Sequence, residues 1–171
     1  MNADPASELV EVVARDGSVL DIVPRSEVRA RNLWHRCTYV AVVTGAGELV
    51  VHQRADWKDV YPSFWDLAFG GIAGVGEPWE TAAKRELAEE AGVRSVDLVD
   101  LGPVFYDEDD GRVVGRVFVT IYEGTLQFDD GEVVGADRVP IDRIDGWLEG
   151  RQVCPDSKLL VLPLVRRHLG G

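Results

Sequence analysis

The stretch from Gly71 to Val93, GIAGVGEPWETAAKRELAEEAGV, constrains the fold more than any other: a glycine-rich loop runs into a helix with one apolar and one acidic face. Pro78 suits the first helical position, where its missing N–H is not needed, and Gly92 suits the left-handed stop after the last turn. Between them Thr81 is the only β-branched residue in an Ala-, Leu-, Glu- and Lys-rich run, so propensity agrees with the end signals and predicts a helix over about 78–91. Trp79, Ala83, Leu87 and Ala91 recur at helical spacing, and such a stripe has to bury against a sheet. At about 100° per residue, Glu89 lies about 60° from Glu86 on one side and Glu90 about 40° from it on the other. Three carboxylates therefore share the adjoining face.

Clustered carboxylates repel one another near neutral pH unless positive charge sits among them. Arg85 supplies one such charge. A hard divalent cation accounts for the rest, because Mg²⁺ takes oxygen ligands and keeps positions for water and substrate phosphates. A solvated acidic helix face is the plain alternative. Against it stand the glycine loop, Arg85 and Gly92 at fixed offsets.

Those offsets resemble the signature of the Nudix hydrolases, G-x5-E-x7-R-E-U-x-E-E-x-G-U with U aliphatic. Gly71, Glu77, Arg85, Glu86, Leu87, Glu89, Glu90, Gly92 and Val93 meet every specified position. The resemblance implies an α+β fold, an α/β/α sandwich in which a mixed β-sheet lies between helices and carries the motif loop and helix. It implies a metal-dependent hydrolase that cleaves a pyrophosphate bond in a nucleoside diphosphate linked to another moiety. It also implies roles: Glu86, Glu89, Glu90 and the backbone carbonyl of Gly70 as ligands of Mg²⁺ or Mn²⁺, with Glu77 and Arg85 bracing loop and helix beside the reacting groups. Glu86 and Glu89 are candidates for the general base, but related proteins often take it from a later loop. FDDGEVVGA places Glu132 where a returning loop could reach the metals. The alternative is that Asp129, Asp130 and Glu132 form only a polar turn. Homodimers are common among such relatives.

The flanks narrow the resemblance. LWHRCTYVAVV and VVHQRADWKDVYPSFWDLAFGGIAG are similar to the branch containing isopentenyl-diphosphate isomerase, as, more loosely, are the N-terminal hairpin and the CPDS segment. In that isomerase a cysteine just before the conserved glycine transfers protons and a nearby histidine helps hold metal. Here those positions are Gly70 and Ile72, whose side chains can do neither. Arg54 and Lys58 match basic positions that face the substrate diphosphate in that branch, and a guanidinium and an ammonium in one loop can clamp two phosphates. Ordinary surface charge is the alternative. Trp57, Tyr61, Phe64 and Trp65 crowd the same loop, either to stack on substrate or to pack. Three functions stay open: the hydrolase, an isomerase of prenyl diphosphates, and a catalytically silent nucleotide-binding module.

The remaining sequence reads as scaffold. LVEVVARDGSVLDIVPR alternates about Asp16-Gly17 and predicts a hairpin over about 8–25, packed as an extension on one domain spanning 1–171. Ser26 suits an N-cap for a short helix reaching about Trp34. TYVAVVTGAGELVVHQR predicts a second hairpin turning near Thr44–Gly47, apolar enough for central strands. Further strands are predicted near 96–106, 112–123 and 133–139, then a C-terminal helix that Pro163 interrupts. His35, His52 and His168 lack metal-ligand spacing and read as structural or solvated. Cys37 and Cys154 make no disulfide framework and suit free thiols in a reducing compartment, the cytoplasm. With 18 basic and 30 acidic residues the formal charge is −12, which argues against a nucleic-acid surface but not against a small phosphorylated substrate. No apolar run is long enough to span a membrane.

Overall fold

The computed structural model describes residues 5–170. A hairpin of β1 (Leu9–Val13) and β2 (Val19–Pro24) leads through α1 (Arg25–Arg31) to β3 (His35–Val43) and β4 (Glu48–Arg54). After a loop and the two-residue β5 (Trp65–Asp66) come α2 (Trp79–Ala91), β6 (Val99–Glu108), β7 (Gly111–Ile121) and β8 (Val133–Pro140). The chain closes with α3 (Ile144–Leu148), a π-helical turn (Ser157–Val161) and α4 (Leu162–Leu169). The sheet is mixed: β3 runs parallel to β7 from His35↔Val113 to Val43↔Ile121, while β6 pairs with β7 and β8 with β4, both antiparallel.

Helices cover both faces, so the central strands are apolar throughout and their alternation sorts residues between two cores. Val40, Val42, Val50 and Phe118 pack with Ala83, Leu87 and Ala91 of α2. Tyr39, Ala41, Val43, Leu49, Val51, Val117 and Val119 pack on the opposite face with Leu162 and Val165 of α4. The expected α/β/α sandwich is the observed one.

Three local expectations are corrected. Pro78 is the N-cap of α2, with extended backbone, and its carbonyl accepts the first helical hydrogen bond from Ala82 N–H at 3.0 Å. Pro24 rather than Ser26 caps α1, which stops at Arg31 because Asn32 turns left-handed at φ 47°. The second hairpin pairs only beside its turn, at Val43↔Leu49. Beyond that point β3 and β4 diverge, and the chain after β5 enters the gap, bridging Val40↔Phe69 and Cys37↔Ile72. Pro163 does interrupt the last helix: α4 begins around it, after a π-helical turn.

Candidate functional site

The inserted strap fixes the mouth of the motif loop. Val40 N–H donates to Phe69 O at 2.6 Å, Phe69 N–H to Val40 O at 2.9 Å and Thr38 N–H to Gly71 O at 2.9 Å. The Phe69 and Gly71 carbonyls thus face β3, and the alternation of an extended chain turns the Gly70 carbonyl, between them, the other way. Only glycine fits there: φ is +153°, and a Cβ on Gly70 would overlap the Thr38 carbonyl, lying 2.8 Å from its carbon. A Cβ on Gly71 would lie 2.8 Å from a Glu86 carboxylate oxygen. The glycine pair therefore lets β3 and the Glu86 carboxylate approach the backbone from two sides.

Arg85 ties the loop to α2. Its Nε and Nη2 donate to the two Glu77 oxygens, each at 2.9 Å, and Nη1 donates to Glu86 at 2.7 Å and Glu89 at 3.2 Å. The hydrogen bonds from Arg85, helped by Gly74 N–H, hold the Glu77 carboxyl below the usual range. Behind this pair lies a second one that the sequence does not announce. Glu11 of β1 accepts from Arg36 Nη1 at 3.1 Å and from Gly76 N–H at 2.8 Å. Arg36 also donates to Glu77 O at 2.9 Å and lies 4.2 Å over the Trp79 ring. The N-terminal hairpin is thereby buttoned onto the motif loop.

The acids are short of positive charge. Burial, reinforced by Glu89 and Glu132, pushes the Glu86 carboxyl up to about 7 against the opposing pull of Arg85. Burial and then the Glu86 charge push Glu90 well above the usual range, although Gly70 N–H donates to it at 2.9 Å. Glu89 is exposed and turns toward Arg85. Among the described residues no three His, Cys, Asp or Glu side chains yet close around a common point. The donor set nevertheless fits a hard divalent cation: buried Glu90, the largely enclosed Glu86, Glu89 one helical turn away, and a carbonyl turned from its strand.

The other expected residues fall at the same cleft with partners of their own. Lys58 is ion-paired with Glu132, which closes over from the loop before β8, so those two meet each other. Arg54 donates through Nε and Nη2 to Val60 O at 3.1 and 2.9 Å and lies 3.6 Å from Asp66. Trp65 packs edge-on against Trp147 and Trp57 is exposed, whereas Tyr61 lines the cleft and donates to Asp110 at 2.6 Å. His35 and His52 are buried and His168 exposed; Cys37 and Cys154 are buried free thiols.

The cleft holds about 540 Å³, and its walls also carry Arg25, Arg29, Thr38, Tyr39 and Asp156. Burial, followed by the Asp66 charge, raises Asp156 to about 6 while Tyr39 donates to it at 3.0 Å. Thr38 and Tyr39 lie in LWHRCTYVAVV and Asp156 in CPDS, while Arg25 and Arg29 are marked only by their four-residue spacing on α1. No helix among the described residues is long and apolar enough to cross a membrane.

A family profile described as "NUDIX domain" matches residues 33–157. An uncharacterized Nudix hydrolase of Pseudomonas aeruginosa is 36% identical over 88% of this chain and 89% of its own. An uncharacterized Nudix hydrolase, YfcD, of Shigella flexneri is 31% identical over 94% of this chain and 89% of its own. Among solved structures, a Deinococcus radiodurans protein superposes with a TM-score of 0.78 at 21% identity, covering 94% of this chain and 98% of that one. The NUDIX domain of Shewanella oneidensis NrtR, solved with ADP ribose, superposes with a TM-score of 0.62 at 16% identity over 86% of this chain and 99% of its own. A complete signature on one loop and helix could arise without common descent, but identity at this level across nearly the whole of both lengths could not. The chain belongs to the Nudix hydrolase family, whose members act on pyrophosphate bonds of small phosphorylated substrates and generally use divalent metals such as Mg²⁺.

Proposed function

We propose that this chain is a Mg²⁺- or Mn²⁺-dependent hydrolase of a nucleoside diphosphate joined to a second moiety. The observation that carries the reading is the convergence of two α2 carboxylates on the Gly70–Gly71 strap: buried Glu90 accepts from Gly70 N–H at 2.9 Å, and Glu86, held by Arg85 at 2.7 Å, stands where a Cβ on Gly71 would meet it. Glu86, Glu89, Glu90 and the Gly70 carbonyl are the proposed ligands. A cation held there supplies charge neutralisation on the pyrophosphate oxygens and acidifies a bound water. Arg85 keeps Glu86 and Glu89 on the same side of α2 through its Nη1 and anchors them to Glu77. Glu86, Glu89 or, from the far wall, Glu132 takes the proton from the attacking water. Lys58 and Arg54 meet the leaving phosphates, Lys58 by exchanging Glu132 for a phosphate oxygen.

An isomerase of prenyl diphosphates is the second reading, because the flanks resemble that branch. Gly70 speaks against it, since any side chain at that position would strike the Thr38 carbonyl. We also infer that residues 1–171 act as one domain in the cytoplasm. Pairing as a homodimer rests on the open edge of the sheet, where β2 exposes Val19, Leu20 and Ile22. Light scattering tests that state, and a monomeric mass would overturn it.

The deciding experiment measures nucleoside monophosphate release from ADP-ribose, nucleotide sugars and dinucleotides with Mg²⁺ or Mn²⁺. Turnover is expected to stop with chelator and to fall about 100-fold or more in Glu90→Gln and Glu89→Gln. Tight nucleotide binding without turnover on any member would transfer the assignment to a silent binding module.

A further inference from the structure

Residues 55–64 carry Lys58 along the cleft, and this loop is held unevenly. At its root the backbone closes on itself and on the loop before β8. Arg54 N–H donates to Phe64 O at 2.9 Å, Ser63 N–H to Ala55 O at 3.3 Å and Ala55 N–H to Glu132 O at 2.8 Å. Further out, side chains fasten the tip to its surroundings. Lys58 pairs with Glu132, Asp59 lies 3.5 Å from Arg25 and 3.8 Å from Arg29, and the Tyr61 hydroxyl donates to Asp110 at 2.6 Å.

These ties differ in strength. Lys58 gives up Glu132 when it meets a phosphate oxygen. Asp59 is about half exposed and touches neither arginine closely, so its pairs hold weakly. That leaves the short bond from Tyr61 to a carboxylate, a strong kind of hydrogen bond. Asp110 is a firm anchor for it. Tyr106 of β6 donates to the other oxygen of the same carboxylate at 3.0 Å, and the Asn32 side chain pins the turn before Asp110 by donating to Glu108 O at 2.9 Å and Asp109 O at 3.2 Å.

Tyr61 meets Asp110 from a strained backbone. Its φ is 51° and that of Ser63 is 64°, so two residues with side chains stand in the left-handed region on either side of Pro62. Such a conformation persists only where the surroundings hold it. The strain falls beside the two cations assigned to the diphosphate. Val60, just before Tyr61, is the residue whose carbonyl takes both hydrogen bonds from Arg54, and Lys58 lies in the same turn of chain. Fixing Tyr61 therefore fixes the loop that carries one cation and orients the other.

We propose that Asp110 is a positioning residue: by holding the Tyr61 hydroxyl to the turn between β6 and β7, it keeps the loop at the cleft while Lys58 and Arg54 grip the substrate diphosphate. This rests on the hydrolase reading for the roles of those two cations.

Two measurements test it. Trypsin cleavage after Lys58, followed by mass, reports opening of the loop without any need for turnover. It should quicken about tenfold in Tyr61→Phe and Asp110→Ala. In Tyr106→Phe it should stay near native, because pairing of Tyr106 with Val113 already places that residue. The second measurement is the affinity for methylenediphosphonate, a diphosphate that resists hydrolysis, in the presence of Mn²⁺. Kd should rise about tenfold in Tyr61→Phe and in Lys58→Met, and no further when the two are combined, since one change acts through the other. A merely structural tie would make Tyr61→Phe and Tyr106→Phe alike, since each removes one hydroxyl from the same carboxylate. Native-like cleavage of Tyr61→Phe, equal effects of the two phenylalanine variants, additive losses, or no binding of the diphosphonate to the native chain would each overturn the proposal. If cleavage and affinities change as expected but no nucleoside diphosphate derivative is hydrolysed, the hydrolase reading fails while Asp110 keeps its role in diphosphate binding.

Discussion

Gly70 shows how much one missing side chain decides. Its φ of +153° and the contact with Thr38 leave no room for a Cβ, so Gly70→Ala has to push the strap away from β3. We expect a loss of at least about 1–3 kcal/mol, read by urea denaturation, together with loss of metal-dependent turnover. His52 makes a second, independent case. It is buried, stacks 4.2 Å from the Phe69 ring, and its pKa is lowered by burial from 6.5 to about 4. The folded state therefore resists protonation that the unfolded chain accepts near pH 6.5. Stability is full above that value and declines as pH falls toward 4, by at most about 3 kcal/mol from this residue. Unfolding free energies measured across that window should decline less steeply in His52→Gln; an identical slope would rule the residue out as a contributor.

Among the elements, α2 behaves as both wall and instrument, its apolar stripe gripping the sheet while its acids face the cleft. Leu87→Ala removes a fully buried side chain and should cost about 2–5 kcal/mol by denaturant titration, while Lys84→Ala on the exposed face should stay within about 0.5 kcal/mol. The β1–β2 hairpin matters for a different reason: Glu11 joins it to Arg36 and to the Gly76 amide of the motif loop. Glu11→Gln leaves Arg36 without its buried partner and should cost about 3–5 kcal/mol and weaken metal binding, though Glu11 touches no proposed ligand. Isothermal titration with Mn²⁺ checks the second effect. The helix was legible because its end signals and its periodicity agree over one continuous segment. The separation of β3 from β4 was not, because a short loop between two apolar strands announces a hairpin and says nothing of a third segment that wedges between them.

Across the whole molecule, the excess of acid at the cleft should make stability depend on a cation. A divalent ion at 100 times its dissociation constant adds about 2.7 kcal/mol, which for a chain of 171 residues is about 5–10 °C in Tm. Thermal melts with Mn²⁺ and with chelator should differ by that much in the native chain and by far less in Glu90→Gln. Equal melts would remove the cation from the account. The sequence by itself determined the acid-bearing helix, the glycine entry and the family, because all three are written in spacing along one segment, where backbone periodicity alone decides which side chains share a face. Only the tertiary structure decided that Lys58 meets Glu132, that Glu11 clasps the motif loop, and that Arg25 and Arg29 face the acids across one cleft. Those partners are far apart along the chain, and what joins them is the way the strap parts β3 from β4 and the hairpin pairs beside the start of β3, a geometry set by packing rather than by local sequence.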